Sequence, residues 1–331
     1  MTEPSETPTA PDDGEMAMPS SNGSDARAAA RIASAVLADV AIGVTLFHPK
    51  PDHVAVLVAA FAGSVRHVFA YDNGGVSAEI RSVLDRSAGV RVIGQGDNVG
   101  VGAALNGLAE AASASGARYL MLLDQDGEPS LELALGLKAA MARLSLMLVP
   151  PAMVGPIQRP VAGRKTPLYP PRRNVAALKG LDPVEFMATS GSLLDLAAFH
   201  SVGPFRADYF IDAIDLEWCF RAWSVGLSCW VDRETPMAQC VGSGVIRARW
   251  LPVTIARQPL FRMETYIRNT VYGWRLAHVP RRWKLIQMAY LPLQIALYWA
   301  ESGYRAAVLG RLLHAAVNGL RGRLGRPAGA A

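Results

Sequence analysis

Residues 119–126 read YLMLLDQD, an uncharged apolar run that ends in Asp124-Gln125-Asp126. A short apolar run bounded by polar residues is typical of a β-strand that is buried on both faces. The two aspartates would then lie just beyond the carboxyl end of a buried strand. This stretch decides the fold, because it completes a series of similar units.

Three strand-and-helix units precede it. Strands are predicted from the apolar runs Asp39 to Phe47, His67 to Tyr71 and Val90 to Ile93, and helices from the segments between and after them, Asp52 to Ala62, Ser77 to Ser87 and Ala103 to Ser115. Regular alternation of strands and helices favours a parallel sheet covered by helices on both sides. We therefore predict an α/β fold with a mostly parallel, Rossmann-like sheet and flanking helices, followed by C-terminal helices.

Polar turns follow three of these strands at the same end. They are Asp72-Asn73, Asp97-Asn98 and Asp124-Gln125-Asp126. Ligands of parallel sheets bind at the carboxyl ends of the strands. The pattern therefore predicts that the first half of the chain binds a nucleotide along this edge.

Composition bounds the organisation of the 331-residue chain, which is 51% hydrophobic with a net charge of +5. Residues 1–33 are predicted to be a disordered tail, because their start is rich in Pro, Ser, Thr and Asp and has little to bury. Residues 34–255 would form the catalytic domain, with a nucleotide-binding half (34–150) and an acceptor half (151–255). Residues 256–331 would be a helical region. The three cysteines lack zinc-site spacing and are expected to be free thiols.

The acidic pair Asp124 and Asp126 is a candidate metal site. A hard divalent cation prefers oxygen ligands and often shares substrate phosphate with one or two carboxylates. An ordinary acidic turn is the alternative. The position at the end of the fourth strand favours the metal site.

Two neighbouring turns are more ambiguous. Asp72 at a strand end could accept a hydrogen bond from a pyrimidine N–H, or Asn73-Gly74 could form a type I′ turn. The segment from Asp97 to Gly102 precedes a helix, where backbone N–H groups could face an anion. A plain helix cap with a flexible lead-in is the alternative.

A second acidic cluster lies far along the chain, within Phe210 to Cys219 (FIDAIDLEWC). Asp212, Asp215 and Glu217 are closely spaced, and repulsion between like charges raises at least one pKa, which suits a general base. The alternative is that one acid caps the helix starting near Leu216. The others would then pair with Arg206, Arg221 or Arg233.

Taken together, these motifs resemble the inverting family 2 glycosyltransferases of the nucleotide-sugar-binding A fold, and among them the bacterial rhamnosyltransferases. The resemblance runs from about Ala41 to Arg326. It is carried by VTLFHP at 44–49, AYDNG at 70–74, NVGVGAALNG at 98–107, YLMLLDQD at 119–126, TSGSLL at 189–194 and VGPFRADYFIDAIDLEWCFR at 202–221, with weaker matches at Arg268-Asn269 and at 318–325.

The resemblance implies a role for each matching residue. Asp215 would be the catalytic base, and Asp72, Asn98 and Asp124 would bind the donor. Asp126, with Asp124 and Gln239, would hold a divalent metal such as Mg²⁺ or Mn²⁺. Ser190, Gly191, Asp212 and Glu217 would form the acceptor site. The reaction implied is transfer of L-rhamnose from dTDP-L-rhamnose to a hydroxyl of a lipid-linked or cell-surface glycan.

Two departures from the family pattern concern the metal. Gln239 stands where the family usually has a histidine, and Arg257-Gln258 occupies a segment that commonly begins with another. A non-catalytic relative that binds nucleotide sugars and acts through partner proteins is therefore an alternative. A nucleotidyltransferase is a third interpretation, which the second acidic cluster disfavours.

The C-terminal region is predicted to associate with a membrane. Leu285 to Trp299 is a 15-residue uncharged run, shorter than the ~20 residues needed to span a bilayer, and is flanked by basic residues. Basic flanks with Trp and Tyr suit a helix pair lying in the interface, so lipid is favoured over nucleic acid as the partner. We expect a cytoplasmic protein, peripheral on the inner face of the plasma membrane. The alternative is a hairpin packed on the catalytic domain or in a homo-oligomer contact.

Overall fold

The computed structural model describes residues 31–61, 63–239, 242–248 and 253–327. Most of the predicted tail, and Cys240, lie outside these residues. Residues 31–36 are helical and Ala33 is buried. The folded part of the chain therefore begins before residue 34.

The first half forms the predicted strand-and-helix units. Its strands are β1 (Val40–Leu46), β2 (His67–Asp72), β3 (Val90–Ile93) and β4 (Tyr119–Asp124), and its helices are α1 (Pro51–Phe61), α2 (Ala78–Arg86), α3 (Val101–Ala114) and α4 (Leu131–Leu144). Serines cap two of the helices: Ser77 Oγ accepts from the Ile80 N–H, and Ser130 Oγ from the Leu133 N–H. Each predicted element is present to within two residues at either end.

The second half adds strands of both directions. It contains β5 (Pro151–Arg159), β6 (Leu181–Pro183), β7 (Ser192–Asp195), α5 (Leu196–Val202), a 3₁₀ turn (Ala207–Tyr209), α6 (Ile214–Ser224) and β8 (Ser228–Ala238). The sequence from Phe186 to Leu194 is typical of a strand, but its first six residues are not part of one. Gly191 has φ +76°, which breaks the extended backbone, so β7 begins only at Ser192.

The eight strands make one sheet in the order β3-β2-β1-β4-β7-β5-β8-β6. Strands β1 to β4 pair in parallel, as do β5 and β8, while β7 and β6 run antiparallel. The mostly parallel sheet is confirmed. Leu46 pairs with Asp72 and Thr45 with Asp124 on either side of β1, so both acids lie on one edge.

A separate apolar core lies on each face of the sheet. In β1, Ile42 and Val44 pack into one core and Ala41 into the other, as the alternation of a strand requires. Both faces are covered, which is why the strands are apolar throughout. The resulting sheet is a rigid base for the polar turns at its edge.

The C-terminal region is helical, as predicted. After the two-stranded sheet of β9 (Gly244–Arg247) and β10 (Thr254–Arg257) come α7 (Leu260–Gly273), α8 (Arg281–Glu301) and α9 (Ala306–Arg321). These helices share a third core with β9 and β10. Among the described residues, no helix is long and apolar enough to cross a membrane.

Candidate active site

The Asp124-Gln125-Asp126 turn begins at the last residue of β4. The Asp124 backbone N–H donates to Ser190 Oγ at 3.2 Å, which joins this turn to the loop before β7. The Asp124 carboxylate still reaches solvent, but protein surrounds it on its other sides. Burial raises the pKa of Asp124, and the negative charge of Asp126 raises it further. The turn thus holds two carboxylates close enough to influence each other, and both are exposed at the edge of the sheet.

Gln125 anchors the turn. Its Oε1 accepts from the Phe47 N–H at 2.7 Å, and its Nε2 donates to the Phe47 carbonyl at 2.9 Å. Both bonds reach the end of β1, the next strand in the sheet. The middle residue of the motif therefore fixes the direction in which the two aspartates face.

Asp215 lies in the first turn of α6, and its Oδ1 accepts from the Leu216 N–H at 2.8 Å. Burial raises the pKa of Asp215 to about 6, and the charges of Asp212 and Asp124 contribute to the increase. The structure therefore brings Asp124 and Asp215 from the two halves of the chain into electrostatic range. A carboxylate with a pKa near 6 is suited to general-base chemistry at neutral pH.

Asp212 is positioned by an unusual backbone and by α7. Asp212 and Ala213 have φ +67° and +61°, a region that residues other than glycine rarely adopt. The Asn269 amide stabilises this turn by donating to the carbonyls of Tyr209, Ile211 and Asp212 at 2.9 to 3.0 Å. Asn269 matched the family pattern in the sequence, but only the structure shows what it does.

Arg262 is the cation of this acidic cluster, and the sequence did not single it out. Its guanidinium donates to both Asp212 oxygens, with the Nε contacts at 3.1 and 3.2 Å, and Thr265 Oγ1 donates to Asp212 at 2.9 Å. Burial alone would lower the pKa of Arg262, but Asp212, together with Asp124 and Asp215, raises it. Arg262 thus links the two acidic clusters.

The segment Arg257-Gln258, where the family commonly has a second histidine, makes its contacts elsewhere. The Arg257 side chain pairs with Glu301, and the Gln258 N–H donates to Tyr298 Oη at 2.8 Å. Arg262 lies just over one helical turn further on. Spacing alone could not have distinguished these candidates, because the start of α7 determines which basic side chain faces the cleft.

Glu217 is not brought to the cleft. It is 2% exposed and pairs with Arg221 at 3.0 Å and with His278 Nε2 at 2.8 Å. Two residues along a helix from Asp215, it lies on another side of α6. The acidic cluster therefore divides: Glu217 pairs with an arginine, as the alternative interpretation proposed, whereas Asp212 and Asp215 stay near Asp124.

Asp72 ends β2 beside a glycine-rich loop. Its Oδ1 accepts from the Gly74 N–H at 3.1 Å, and Arg81 lies 3.6 Å from its other oxygen. A side chain at Gly94 would come within 2.7 Å of the Asp72 carbonyl. Asn73 is not among the residues with positive φ, so the type I′ turn considered for Asn73-Gly74 is not formed.

The predicted anion-binding N–H groups before α3 are bonded within the protein. The N–H of Val99 donates to Asn73 Oδ1, that of Gly100 to Asn98 Oδ1, and that of Val101 to the Phe210 carbonyl. A side chain at Gly100 would come within 2.6 Å of Phe210. This glycine is thus needed for close packing, and Asn98 holds the loop that borders the Asp72 edge.

Ser190 and Gly191 lie against the Asp124 turn. A Cβ at Gly191 would come within 2.5 Å of the Met237 side chain, and its N–H donates to the Leu122 carbonyl at 2.7 Å. The loop can approach β4 and β8 this closely because it has no side chain there. Both predicted residues therefore lie beside the Asp124 turn, and their role at the acceptor stays a prediction.

No protein-family model matches the chain, but two other kinds of comparison find similar proteins. The chain is 21% identical over 288 residues to the dTDP-rhamnosyl transferase RfbF of Shigella flexneri, covering 85% of this chain and 95% of that protein. It superposes on residues 1–349 of S. aureus TarS with a TM-score of 0.50 and 12% identity, covering 86% and 92% of the two chains.

A third similarity is to GalNAc-T7, whose crystal structure contains UDP, GalNAc and Mn²⁺. The TM-score is 0.52 at 13% identity, covering 81% of this chain and 58% of the longer GalNAc-T7 chain. The chain has the A-type glycosyltransferase fold and is similar to glycosyltransferases of family 2. The acidic cleft lies at the edge of the sheet where this glycosyltransferase is expected to bind its nucleotide sugar.

The glycosyltransferase has a ligand set that fits a divalent metal, provided that the substrate supplies the remaining ligands. Among the described residues, no group of three or more His, Cys, Asp or Glu side chains could hold a metal alone. Gln239 Oε1 is buried and accepts no hydrogen bond from the described protein. It follows β8, whose last residue, Ala238, donates its N–H to Glu128 just beyond Asp126. Two carboxylates and one carbonyl suit a hard cation that is also bound by phosphate.

Proposed function

We propose that this glycosyltransferase moves L-rhamnose from dTDP-L-rhamnose, with inversion, to a hydroxyl of a lipid-linked or cell-surface glycan. The donor is proposed because the curated relative is named a dTDP-rhamnosyl transferase and aligns over nearly its whole length. The observation that supports the reaction is the proximity of Asp215 to Asp124 and of both acids to Arg262, although they come from different halves of the chain. A transfer enzyme needs its leaving-group site and its base on opposite sides of one sugar.

Asp215 is the proposed general base. Its carboxylate takes the proton of the acceptor hydroxyl while that oxygen bonds to the anomeric carbon, and the bond from that carbon to the diphosphate breaks. With a pKa of about 6, Asp215 is mostly ionised at neutral pH and is a stronger base than an ordinary aspartate. The neighbouring Asp212 assists by its charge, and Arg262 limits the repulsion among the three acids.

The donor would lie along the edge between β2 and β4. Asp72 can accept the ring N–H of thymine, and the loop of Gly94 and Gly96 packs closely beside it because these residues have no side chains. Asp124, Asp126 and Gln239 would hold a divalent cation at the diphosphate. Such a cation stabilises the negative charge that develops on the leaving group.

The test is release of dTDP from dTDP-rhamnose with Mg²⁺ or Mn²⁺ and a membrane lipid extract as the acceptor. We expect Asp215→Asn to lower transfer at least 100-fold, because the base contributes about 10²–10⁴-fold, while dTDP-rhamnose binding is unchanged. Glu217→Gln is the matched control, since Glu217 neighbours Asp215 in sequence but lies outside the cleft. Equal transfer by wild type and Asp215→Asn would show that Asp215 is not the base.

We also propose that the protein is cytoplasmic and peripheral on the inner membrane face, and that α8 provides the contact. Its outward residues Leu285, Met288 and Pro292 are exposed, and Leu285 is 67% exposed. Arg281 and Arg282 are exposed at the N-terminal end of the helix. An uncharged face beside basic residues suits an anionic lipid surface.

Flotation with vesicles of phosphatidylglycerol and phosphatidylethanolamine tests this contact. We expect wild type to float at low salt and Leu285→Asp to remain at the bottom. Leu148→Asp is the control, because Leu148 is fully exposed in the loop before β5. If Leu285→Asp floats like wild type, or instead changes the oligomeric state, α8 is not the lipid contact.

A further inference from the structure

The guanidinium of Arg262 uses only part of its donor capacity within the described protein. Its Nε and Nη2 atoms donate to the Asp212 carboxylate, and among the described residues no hydrogen bond involves Nη1. Because the guanidinium is a planar fork with five N–H donors, the two N–H groups of Nη1 point away from Asp212. The side chain is 34% exposed. Arg262 therefore keeps two accessible N–H donors for a ligand.

The packing before α7 brings Arg262 close to the acidic turn that follows β4. A side chain at Gly242 would come within 2.2 Å of the Arg257 carbonyl, so the segment after β8 lies directly against the residues before α7. Ala238, which ends β8, donates its N–H to Glu128 at 3.2 Å, just beyond the acidic turn. The end of β8 thus contacts both the acidic turn and the segment that leads into α7. Arg262 lies in the first turn of α7 and is therefore near both.

The charges around Arg262 agree with this position. The negative charge of Asp212 raises the pKa of Arg262, and those of Asp124 and Asp215 raise it further. In return, the positive charge of Arg262 lowers the pKa of Asp124, against the effects of burial and of Asp126. One arginine is thus within electrostatic range of the proposed base and of an acid proposed to hold the metal.

Asp212 does not depend on Arg262 alone. Thr265 Oγ1 donates to its carboxylate at 2.9 Å, and the Asn269 side-chain amide donates to its carbonyl at 3.0 Å. Thr265 and Asn269 are both buried on α7, so these two bonds do not move with the arginine. Arg262 can therefore exchange its partner while the turn before Asp215 stays in place.

The transfer reaction places a new charge on the diphosphate. When the bond from the anomeric carbon breaks, both of its electrons stay on the diphosphate oxygen, which gains one negative charge. Among the described residues, no group of three or more His, Cys, Asp or Glu side chains could hold a metal without the substrate. A cation of the protein that is already present at the site stabilises this charge without further reorganisation. Arg262 is a cation of this kind.

We propose that Arg262 turns from Asp212 to the donor and binds its diphosphate, so that this arginine shares the charge of the leaving group with the metal. Arginine and phosphate commonly form two parallel hydrogen bonds, and such charge-assisted pairs are strong. The bonds strengthen as the diphosphate gains charge, so Arg262 contributes to kcat as well as to donor binding. This inference rests on the proposed function and adds a residue to it.

Calorimetric titration with dTDP and with thymidine, each in Mg²⁺ and in EDTA, tests the contact. Arg262→Gln should raise the Kd for dTDP about 10- to 100-fold, as expected for a lost hydrogen bond between charged groups, and leave the Kd for thymidine unchanged. The effect should persist in EDTA, because the contact does not pass through the metal. Arg257→Gln is the matched control: it removes the same charge from a side chain that pairs with Glu301, and it should bind dTDP like wild type.

A cycle with Asp212→Asn separates this role from a structural one. If Arg262 leaves Asp212 to bind the diphosphate, Asp212→Asn should lower the Kd for dTDP at least about 3-fold, at the lower end of the coupling between contacting residues. The gain should disappear in Asp212→Asn/Arg262→Gln. A simple loss of acidic repulsion would instead tighten binding equally with and without Arg262. The double variant leaves no carboxylate at 212 without its cation, so its Tm should stay close to that of wild type.

The outcomes distinguish the two proposals. A wild type that does not bind dTDP would overturn the proposed function. A wild type that binds dTDP with the same Kd as Arg262→Gln and the double variant would overturn only the role of Arg262. Equal tightening by Asp212→Asn in the presence and absence of Arg262 would do the same.

Discussion

Replacing Asp215 by asparagine should make the protein more stable while removing its activity. The folded protein raises the pKa of this carboxyl from 3.8 to about 6, mainly because burial disfavours the charged form. Above pH 6 the ionised side chain therefore destabilises the fold, since the unfolded chain ionises it more easily. Asparagine has nearly the same shape and no charge, so it removes this destabilisation.

The magnitude follows from the pKa change. A difference of about 2.2 pKa units corresponds to about 3 kcal/mol at 1.36 kcal/mol per unit. This is an upper limit, because Asp215 retains some contact with water. At about 2.1 cal/mol/K of unfolding entropy per residue, a chain of this length would gain about 4 °C in Tm.

The size of the stability gain in Asp215→Asn depends on pH. Below pH 3.8 the carboxyl is protonated in both states, so wild type and Asp215→Asn should be equally stable in this respect. The gain should appear between pH 4 and 6 and be complete above pH 6. Chemical denaturation at pH 4.5, 6 and 8 measures the difference in the free energy of unfolding between the two proteins. Asp85→Asn is the control, because Asp85 is an exposed aspartate that pairs with Arg81. A variant that is less stable than wild type at pH 8 would refute the assignment of a strained, desolvated carboxylate.

Three other substitutions test the surroundings of this residue. Arg262→Ala leaves the nearly buried Asp212 without its cation, so it should lower the free energy of unfolding by about 2–4 kcal/mol. A positive charge near Asp215 is also lost, so the midpoint of the pH–rate profile should move above that of wild type. An unchanged midpoint would contradict the proposed link between Arg262 and Asp215. Gly191→Ala places a methyl group within 2.5 Å of Met237, on a residue whose φ is +76°. Urea denaturation should therefore show a decrease of at least about 1 kcal/mol in the free energy of unfolding. Gly226→Ala is the control for the backbone contribution alone, because Gly226 has φ +83° and open space around it. Glu217→Gln breaks the pairs with Arg221 and His278, so its Tm should fall while its pH–rate midpoint stays that of wild type; a shifted midpoint would mean that Glu217 does influence the base.

The first half of the fold was predictable because local signals agree with the tertiary structure. The strands of residues 40–124 are short apolar runs that end in polar turns, and parallel pairing then requires Asp72 and Asp124 to share an edge. The second half was less predictable. β7 follows a glycine with positive φ, and nothing in an apolar run from Phe186 to Leu194 reveals where its extended backbone begins.

The candidate site divides in the same way. Asp124 and Asp215 could be selected from the sequence because each lies in a cluster of acidic residues. The family resemblance then implied a role for each of them. Arg262 could not, because its contact with Asp212 spans 50 residues and depends on the start of α7. Glu217 was grouped with Asp215 by proximity in sequence, yet helical geometry turns it toward Arg221.

The Asn269 amide donates to the carbonyls of Tyr209, Ile211 and Asp212 and so connects α7 to the turn before Asp215. A protein shortened before residue 260 would keep Asp215 but lose both the amide that shapes the turn in front of it and the guanidinium beside it. The closing helices are therefore not an exchangeable anchor. Grafting them from a relative would also replace the residues that hold Asp212 and the turn before Asp215.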